Sequence, residues 1–301
     1  MSSYHTPVLL HESIDGLQIK QDGIYCDATL GGGGHTREIL SKLGPQGRLI
    51  VFDKDQDALD NAPSDNRIIL VHSDFKYIHN FVRYYGYKGV DGVLADLGVS
   101  SHQFDTGDRG FSFRFEAELD MRMNKLAKTS AKDVLNNYSE EELTKVFRMY
   151  GEIKNPKKAA WLICTKRKEE PIINTSDLEE CLKKMAPSKT ENKFYAKIYQ
   201  ALRIEVNQEM ASLEAFLLAC NKVVKPEGII SIITYHSLED RMVKNFIRNG
   251  KIDGEADKDM YGKKIVPFEA INRKPISPPE EEIAKNKRAR SAKLRIAKRV
   301  P

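Results

Sequence analysis

The residues best suited to chemistry in this 301-residue chain are four aspartates and a run of glycines near its start. Asp27-Ala28-Thr29-Leu30-Gly31-Gly32-Gly33-Gly34-His35 places a carboxylate and four glycines directly after the hydrophobic Ile24-Tyr25-Cys26. Asp53 follows 20 residues beyond Gly33, and Asp74 and Asp96 come after two further hydrophobic runs. Glycine permits backbone turns at positive φ and lets a ligand approach the main chain. An acid about 20 residues past such a turn is the usual partner of ribose hydroxyls. The chemistry implied is the binding of an adenosine-containing ligand. The position three after Gly33 is Thr36, not the glycine of a dinucleotide fingerprint, and Asp27 would repel a pyrophosphate. S-adenosylmethionine has no phosphate and carries an ammonium and a sulfonium, so carboxylates around the turn suit it better. A nicotinamide oxidoreductase is the rival reading of the same turn, and a plain tight turn is the structural one.

These acids need elements to hold them. Four strand-like runs, Gly23–Ala28, Arg48–Phe52, Arg67–His72 and Gly89–Leu97, alternate with helical segments, which predicts a parallel sheet with helical crossovers. Ligands of such sheets bind beyond the carboxyl ends of the strands, and Asp27, Asp53, Asp74 and Asp96 are all expected there. After residue 107 the pattern turns helical: Ala131–Leu135, Ser139–Tyr150, Pro156–Lys168, Thr175–Met185 and Tyr195–Leu202. Ser139-Glu140-Glu141-Glu142 reads as a capping box, and Thr175 or Ser176 as the cap of the segment reaching Met185. The alternation then resumes. Met210, Leu213, Leu217, Cys220 and Val224 recur at helical spacing, Pro226 and Gly228 close that helix, and Gly228–Tyr235 is a strong strand. Lys264–Phe268 and Lys293–Ala297 are further strand candidates, with Asp253–Gly262 as a polar loop. The expected organisation is an α/β core over residues 1–107, an inserted helical domain over 108–205, and the rest of the core over 206–301.

Composition excludes other classes. At 41% hydrophobic and 30% charged residues the chain reads as a soluble globular protein. No apolar run approaches the roughly 20 residues that span a bilayer, and no secretion signal is visible between Met1 and Leu10. Cys26, Cys164, Cys181 and Cys220 are far apart, so reduced thiols in a cytoplasm are expected, with no metal site. The net charge is only +5, but Lys285, Lys287, Arg288, Arg290, Lys293, Arg295, Lys298 and Arg299 crowd the last 17 residues without an acid. Lys154, Lys157, Lys158, Lys166, Arg167 and Lys168 form a second basic group. A solvated surface accounts for either cluster alone. Two of them beside a cofactor site favour a polyanion such as RNA.

Several blocks in order along the chain resemble the bacterial 16S ribosomal RNA cytosine-N4 methyltransferase family, the MraW/RsmH type. They are His5-Thr6-Pro7-Val8-Leu9-Leu10, Asp27 to His35, Asp96-Leu97-Gly98-Val99-Ser100-Ser101, Arg109-Gly110-Phe111-Ser112-Phe113 and Leu119-Asp120-Met121-Arg122-Met123. Downstream come Gln200-Ala201-Leu202-Arg203-Ile204, His236-Ser237-Leu238-Glu239-Asp240-Arg241, Arg273-Lys274-Pro275-Ile276 and Ala289-Arg290-Ser291-Ala292-Lys293-Leu294-Arg295. The resemblance implies a class I, Rossmann-like methyltransferase fold with a helical insertion, S-adenosylmethionine as donor, and N4 of a cytidine in the decoding region (P site) of 16S rRNA as acceptor. The small ribosomal subunit is then the expected partner, with a homodimer left open and a cytoplasmic location. It assigns donor binding to Gly33, Gly34, His35, Asp53, Phe75, Asp96 and Gln103. Three departures stand out: Lys193 to Tyr199 replaces a His-Pro-Ala-Thr-Arg-like run, Glu118 replaces a proline, and Tyr235 stands where Phe is usual before His236.

Methyl transfer to an exocyclic amine needs an acceptor for the amine proton, because the N4 lone pair is delocalised into the ring. Asp96 and Ser100, in the loop after the fourth strand, and His236, after the fifth, are the candidate catalytic residues. Loop capping is the structural alternative for His236 and Asp240. Arg288, Arg290, Lys293 and Arg295 are the candidate RNA contacts. Asp120 and Arg122 read as an ion pair joining two domains. Phe111, Phe113 and Phe115 read as a buried strand-like edge or a base-stacking platform. A methyltransferase of DNA or protein, and a non-catalytic rRNA-binding assembly factor, are the remaining alternatives.

Overall fold

The computed structural model describes residues 7–100 and 107–301, and they form two compact units, one of residues up to Gly98 with Met210–Pro301, the other Val99–Glu209. The expected cuts lay at 107/108 and 205/206. Val99 packs into the apolar core of the second unit. At the other end Asn207 donates to the Met121 carbonyl and Arg203 pairs with Glu209, which holds the last residues of that unit to it.

The first unit is built on a seven-stranded sheet. Helix α1 (Leu10–Gly16) precedes β1 (Ile24–Asp27), then α2 (Gly34–Lys42), β2 (Arg48–Asp53), α3 (Gln56–Leu59), β3 (Ile68–His72), α4 (Ile78–Tyr84) and β4 (Val90–Asp96). After the second unit, β5 (Val224–Thr234) is followed by a ribbon of β6 (Asp257–Lys258) and β7 (Lys264–Ile265), then β8 (Phe268–Ala270) and β9 (Lys293–Arg299). The order is β3-β2-β1-β4-β5-β9-β8, parallel from β3 to β5 and antiparallel at β5–β9 and β8–β9. This is the Rossmann-like arrangement of class I methyltransferases. Successive strand residues face opposite sides. Ile50 and Phe52 therefore join Val93, Ile230 and Phe246 on one face, while Leu49 and Val51 join Tyr25, Ile39 and Ile233 on the other. Burial on both faces explains why the strands read as unbroken hydrophobic runs.

Strand register decides where the acids go. Asp27 lies opposite Val51 and Leu94, Asp53 opposite His72, and Asp96 opposite Ile233. The carboxyl ends of β1, β2, β4 and β5 thus share one edge. Two expected boundaries shift. β5 starts at Val224, not Gly228, because the β4–β5 register slips between Val90 and Gly92 and the slack absorbs Pro226 and Glu227, the latter at φ +65°. The stretch 253–262 contains β6, whose turn into β7 is tied by Asp259 accepting from the Tyr261 and Lys263 amides.

The second unit is helical among its described residues. It comprises α5 (Ala131–Asn137), α6 (Glu140–Met149), α7 (Pro156–Lys166), α8 (Thr175–Leu182) and α9 (Glu191–Asn207), packed around Leu135, Leu143, Phe147, Ile163, Leu178 and Leu202. Ser139 and Glu142 form the expected capping box on α6. Asn174, rather than Thr175 or Ser176, starts α8, with Asp177 bonding back to it. Asp120 and Arg122 pair at 2.6 Å, but both belong to this unit, so the pair does not join two domains. A turn at Phe113 and Arg114 interrupts any extended edge from Phe111 to Phe115. Phe111 is buried, Phe113 packs against Tyr199 at 5.7 Å, and Phe115 is 47% exposed.

The first unit resumes at Met210, within α10 (Glu209–Val223), which ends where β5 begins, and continues with α11 (Ser237–Asn249) after β5 and α12 (Glu280–Lys285) before β9.

Candidate functional site at the carboxyl edge of the sheet

Asp27 is fully buried beneath the glycine turn and cannot line a pocket. It accepts from the Thr29 amide at 3.0 Å and from Thr36 Oγ1 at 2.6 Å, pinning both ends of the turn. Burial pushes its carboxyl up to about 7, the Thr36 and Thr29 donors opposing. Asp53 grips the same turn from β2, with Oδ2 accepting from the Gly31 amide and Oδ1 from the Asp55 amide, both at 2.9 Å. Burial raises its carboxyl as well. The Lys54 amide donates to the carboxylate too, so one further lone pair on Asp53 remains for a ligand hydroxyl.

Gly33 sits at φ +73° as the residue before α2, with its amide donating to the Leu30 carbonyl. Gly34 must be glycine for a different reason. A Cβ there would lie 1.9 Å from Pro7 Cγ, so the segment before α1 rests directly on the turn. Gly34→Ala should lower the melting temperature by several degrees, since overpacking of this kind costs about 1–3 kcal/mol. Thermal unfolding beside ligand titration would check it, with donor affinity expected to fall in parallel. The Arg37 guanidinium donates to the Gly32 carbonyl at 2.8 Å, so this cation at the turn is spent on backbone.

Asp96 ends β4, two strand spacings or roughly 10 Å across the sheet from the end of β2. Its amide donates to Thr29 Oγ1 at 2.7 Å, and its Oδ1 accepts from the Tyr235 hydroxyl at 2.8 Å. Burial pushes the carboxyl up to about 7, the Tyr235 hydrogen bond opposing and the Asp27 charge assisting. The side chain is still 24% exposed, so a ligand can reach it. His35 Nδ1 lies 3.8 Å from Asp96 Oδ2. This is no ion pair, because burial lowers the imidazole to about 4 and leaves it neutral. His35 Nε2 faces the Val8 carbonyl at 3.2 Å and must carry the proton, which leaves Nδ1 an acceptor on the Asp96 side.

Other expected residues have different surroundings. Asp74 is committed to structure. Burial opposes its charge, but Lys54 at 3.1 Å, the Lys76 amide and the Ser212 hydroxyl outweigh burial and hold it below the usual carboxylate range. Phe75 packs edge-on to Phe216 at 5.0 Å, with the Lys54 ammonium 5.6 Å from its ring centre. His236 caps α11, its Nδ1 accepting from the Glu239 amide at 3.3 Å, while Glu239 Oε2 accepts from the Tyr235 amide. Ser100 belongs to the second unit, and Gln103 lies outside the described residues. Asp240 pairs with Arg295 at 2.8 Å and with Lys293 at 3.2 Å, which ties two of the four expected RNA contacts into the fold. Arg288 and Arg290 lie exposed on a short 3₁₀ turn before β9. Tyr235 is the residue that sequence reasoning passed over. Only its difference from the usual Phe marked it.

The edge thus combines a positively curved glycine turn with two reachable carboxylates whose burial penalises negative charge. A cationic ligand would relieve that penalty, whereas a phosphate would worsen it, so the residues fit a sulfonium-bearing ligand.

A family model described as the MraW methylase family matches residues 2–300. The ribosomal RNA small subunit methyltransferase H of Christiangramia forsetii is 53% identical over 300 residues, covering 100% of this chain and 99% of that one. The protein of the same name from Flavobacterium johnsoniae is 55% identical over 297 residues, covering 99% and 98%. That from Phocaeicola vulgatus is 53% identical over 296 residues, covering 98% and 97%. With a model match running almost end to end and identities above one half, the chain belongs to the MraW methylase family.

Proposed function

We propose that this protein transfers a methyl group from S-adenosylmethionine to the exocyclic N4 amine of a cytidine in the decoding region (P site) of 16S rRNA, within the small ribosomal subunit of the cytoplasm. The observation that carries this reading is Asp96: a carboxylate at the end of β4, oriented by the Tyr235 hydroxyl, with its backbone amide held by Thr29, and reachable from solvent.

When bound, the donor supplies an electrophilic methyl on a sulfonium. Asp53 would accept a hydrogen bond from a ribose hydroxyl, the turn at Gly33 and Gly34 would hold the amino-acid end, and Phe75 would meet the adenine. Asp96 in its ionised form accepts an N4–H of the cytosine, which localises the nitrogen lone pair and orients it for in-line attack. Neutral His35 keeps that edge free of a competing cation. The cysteines take no part: Cys26 and Cys220 are buried, and burial pushes both thiols up. Arg288 and Arg290 are the exposed cations best placed on β9's approach to meet RNA phosphates, and the target base is turned out of its stack or taken from a single strand.

The reading sets a pH dependence. Asp96 protonates below about 7 in the free protein, and a protonated acid cannot accept the amine proton. Specific activity, measured as kcat/KM, should therefore rise through pH 7 to a plateau. Tyr235→Phe removes the hydroxyl that stabilises the carboxylate, so the rising limb should move up by about one pH unit with the plateau retained, as expected for a charged hydrogen bond of about 1.5 kcal/mol. An unshifted limb would remove Tyr235 from this role. The function itself is tested by incubating the protein with methyl-labelled donor and small subunits lacking the modification, then digesting the RNA. Label in N4-methylcytidine supports the reading; label in another nucleoside, or none, rejects it.

A further inference from the structure

The edge of the sheet opposite Asp96 carries a basic cavity that the methyl-transfer site does not use. It measures about 670 Å³, and its wall includes Lys88, Lys222, Lys225 and Arg299. It lies where β4 and β5 begin, at the Val90–Val224 pair, and where antiparallel β9 ends, at the Phe268–Arg299 pair. The six-residue rise from Val90 to Asp96 separates it from the donor edge by roughly 20 Å.

Its cations fall into two kinds. Two are fixed: Lys225 by Asp91 at 2.8 Å, and Arg299 by Asn221 at 3.4 Å and by the Phe268 ring at 5.5 Å. Two are exposed and make no ion pair among the described residues, Lys88 and Lys222. The neighbouring acids are already neutralised, Asp91 by Lys225 and Glu227 by Lys298. Every charged side chain that lines the cavity is therefore a cation. Gly89, Pro226, Gly250 and Pro267 supply stiff, small walls around it.

Beside it runs Arg83-Tyr84-Tyr85-Gly86-Tyr87-Lys88, the end of α4 and the turn into β4. Tyr85 and Tyr87 pack against the apolar core, and Tyr85 supports Tyr84 edge-on at 5.1 Å. Tyr84 itself is 79% exposed, and Arg83 beside it is exposed too. An exposed aromatic ring packed by a second ring and flanked along the chain by exposed Arg83 and, four residues on, Lys88 has the composition of a base-stacking platform with phosphate contacts near it.

We propose that this surface is a second RNA anchor, in which Lys88, Lys222 and Arg299 take backbone phosphates and Tyr84 stacks on an unpaired base. The inference rests on the rRNA reading given above and adds a contact on the far side of the sheet. An RNA embedded in a ribosomal subunit is large enough to touch both edges. The anchor would hold the substrate independently of which base is methylated, because phosphates and stacking carry little sequence information.

The test uses the full-length protein and a fluorescent single-stranded RNA dodecamer across a salt series. Lys88→Glu with Lys222→Glu should weaken binding at least tenfold, and should reduce the slope of log K against log salt by about 1.4, two contacts at about 0.7 each on a single strand. Tyr84→Ser should weaken binding about tenfold with the slope unchanged. S-adenosylhomocysteine affinity should stay as in the parent, which shows that fold and donor site are intact. Photocrosslinking should place RNA on the peptide containing Tyr84 to Lys88. Unchanged RNA affinity in both variants, or crosslinks confined to residues 285–299, would overturn the proposal. So would saturable adenosine monophosphate binding lost in the lysine variant while RNA binding stays, since the cavity would then serve a free nucleotide. Dodecamer binding here without methyl transfer to subunits would reject the proposed function and leave the anchor standing.

Discussion

Asp96→Asn is expected to lower methyl transfer by 10²–10⁴-fold, roughly what a positioned proton acceptor contributes. The amide keeps an oxygen for the Tyr235 hydroxyl, now 2.8 Å from Asp96 Oδ1, and offers an N–H towards the acceptor nitrogen of His35. The site should therefore fold as before, and donor affinity should change by tenfold at most. Turnover at saturating donor, set beside calorimetric affinity, separates the two roles. A loss of affinity with turnover preserved would make Asp96 a donor ligand only, and no change in either would place it outside the reaction.

Asp53→Ala is expected to weaken donor binding about 100-fold. Part of that is the lost acceptor for the ribose hydroxyls, and part is structural. Without the carboxylate the Gly31 and Asp55 amides lose their acceptor, and each such orphan costs about 1–3 kcal/mol where water cannot replace it. The turn should loosen, so the effect falls on KM for the donor more than on kcat. Asp53→Asn, which keeps one acceptor oxygen, should give an intermediate affinity. Equal affinities for both variants and the parent would show that β2 does not hold the donor.

Much of this arrangement was legible in the residue order. The hydrophobic runs ending in Asp53 and Asp96 could be placed at strand ends because parallel strands buried on both faces have no polar alternation to blur them. The helical unit declared itself through Ser139 and Glu142, whose reciprocal hydrogen bonds are local in sequence. What could not be read were consequences of distant contacts. Asp27 resembles its neighbours as a strand-end acid, yet Thr29 and Thr36 close over it and burial removes it from the surface. Asp74 is drawn into a network by Lys54 and by Ser212, 138 residues away. Lys293 and Arg295 sit in a basic run, but β9 pairs with β5 inside the sheet and turns them towards Asp240. Tyr235 meets Asp96 only because β4 and β5 are neighbours across an insertion of more than 100 residues. Pro226, expected to lie outside any strand, is tolerated in β5 because the register slip there relaxes the ladder.

The most direct test of the central claim is calorimetric titration of the purified protein with S-adenosylhomocysteine, repeated on Asp53→Ala. A carboxylate-rimmed glycine turn that accommodates an adenosine linked to a sulfur amino acid predicts saturable uptake of one molecule per chain, weakened about 100-fold in the variant. Absence of any binding heat across buffers, or equal affinity in parent and variant, would contradict it.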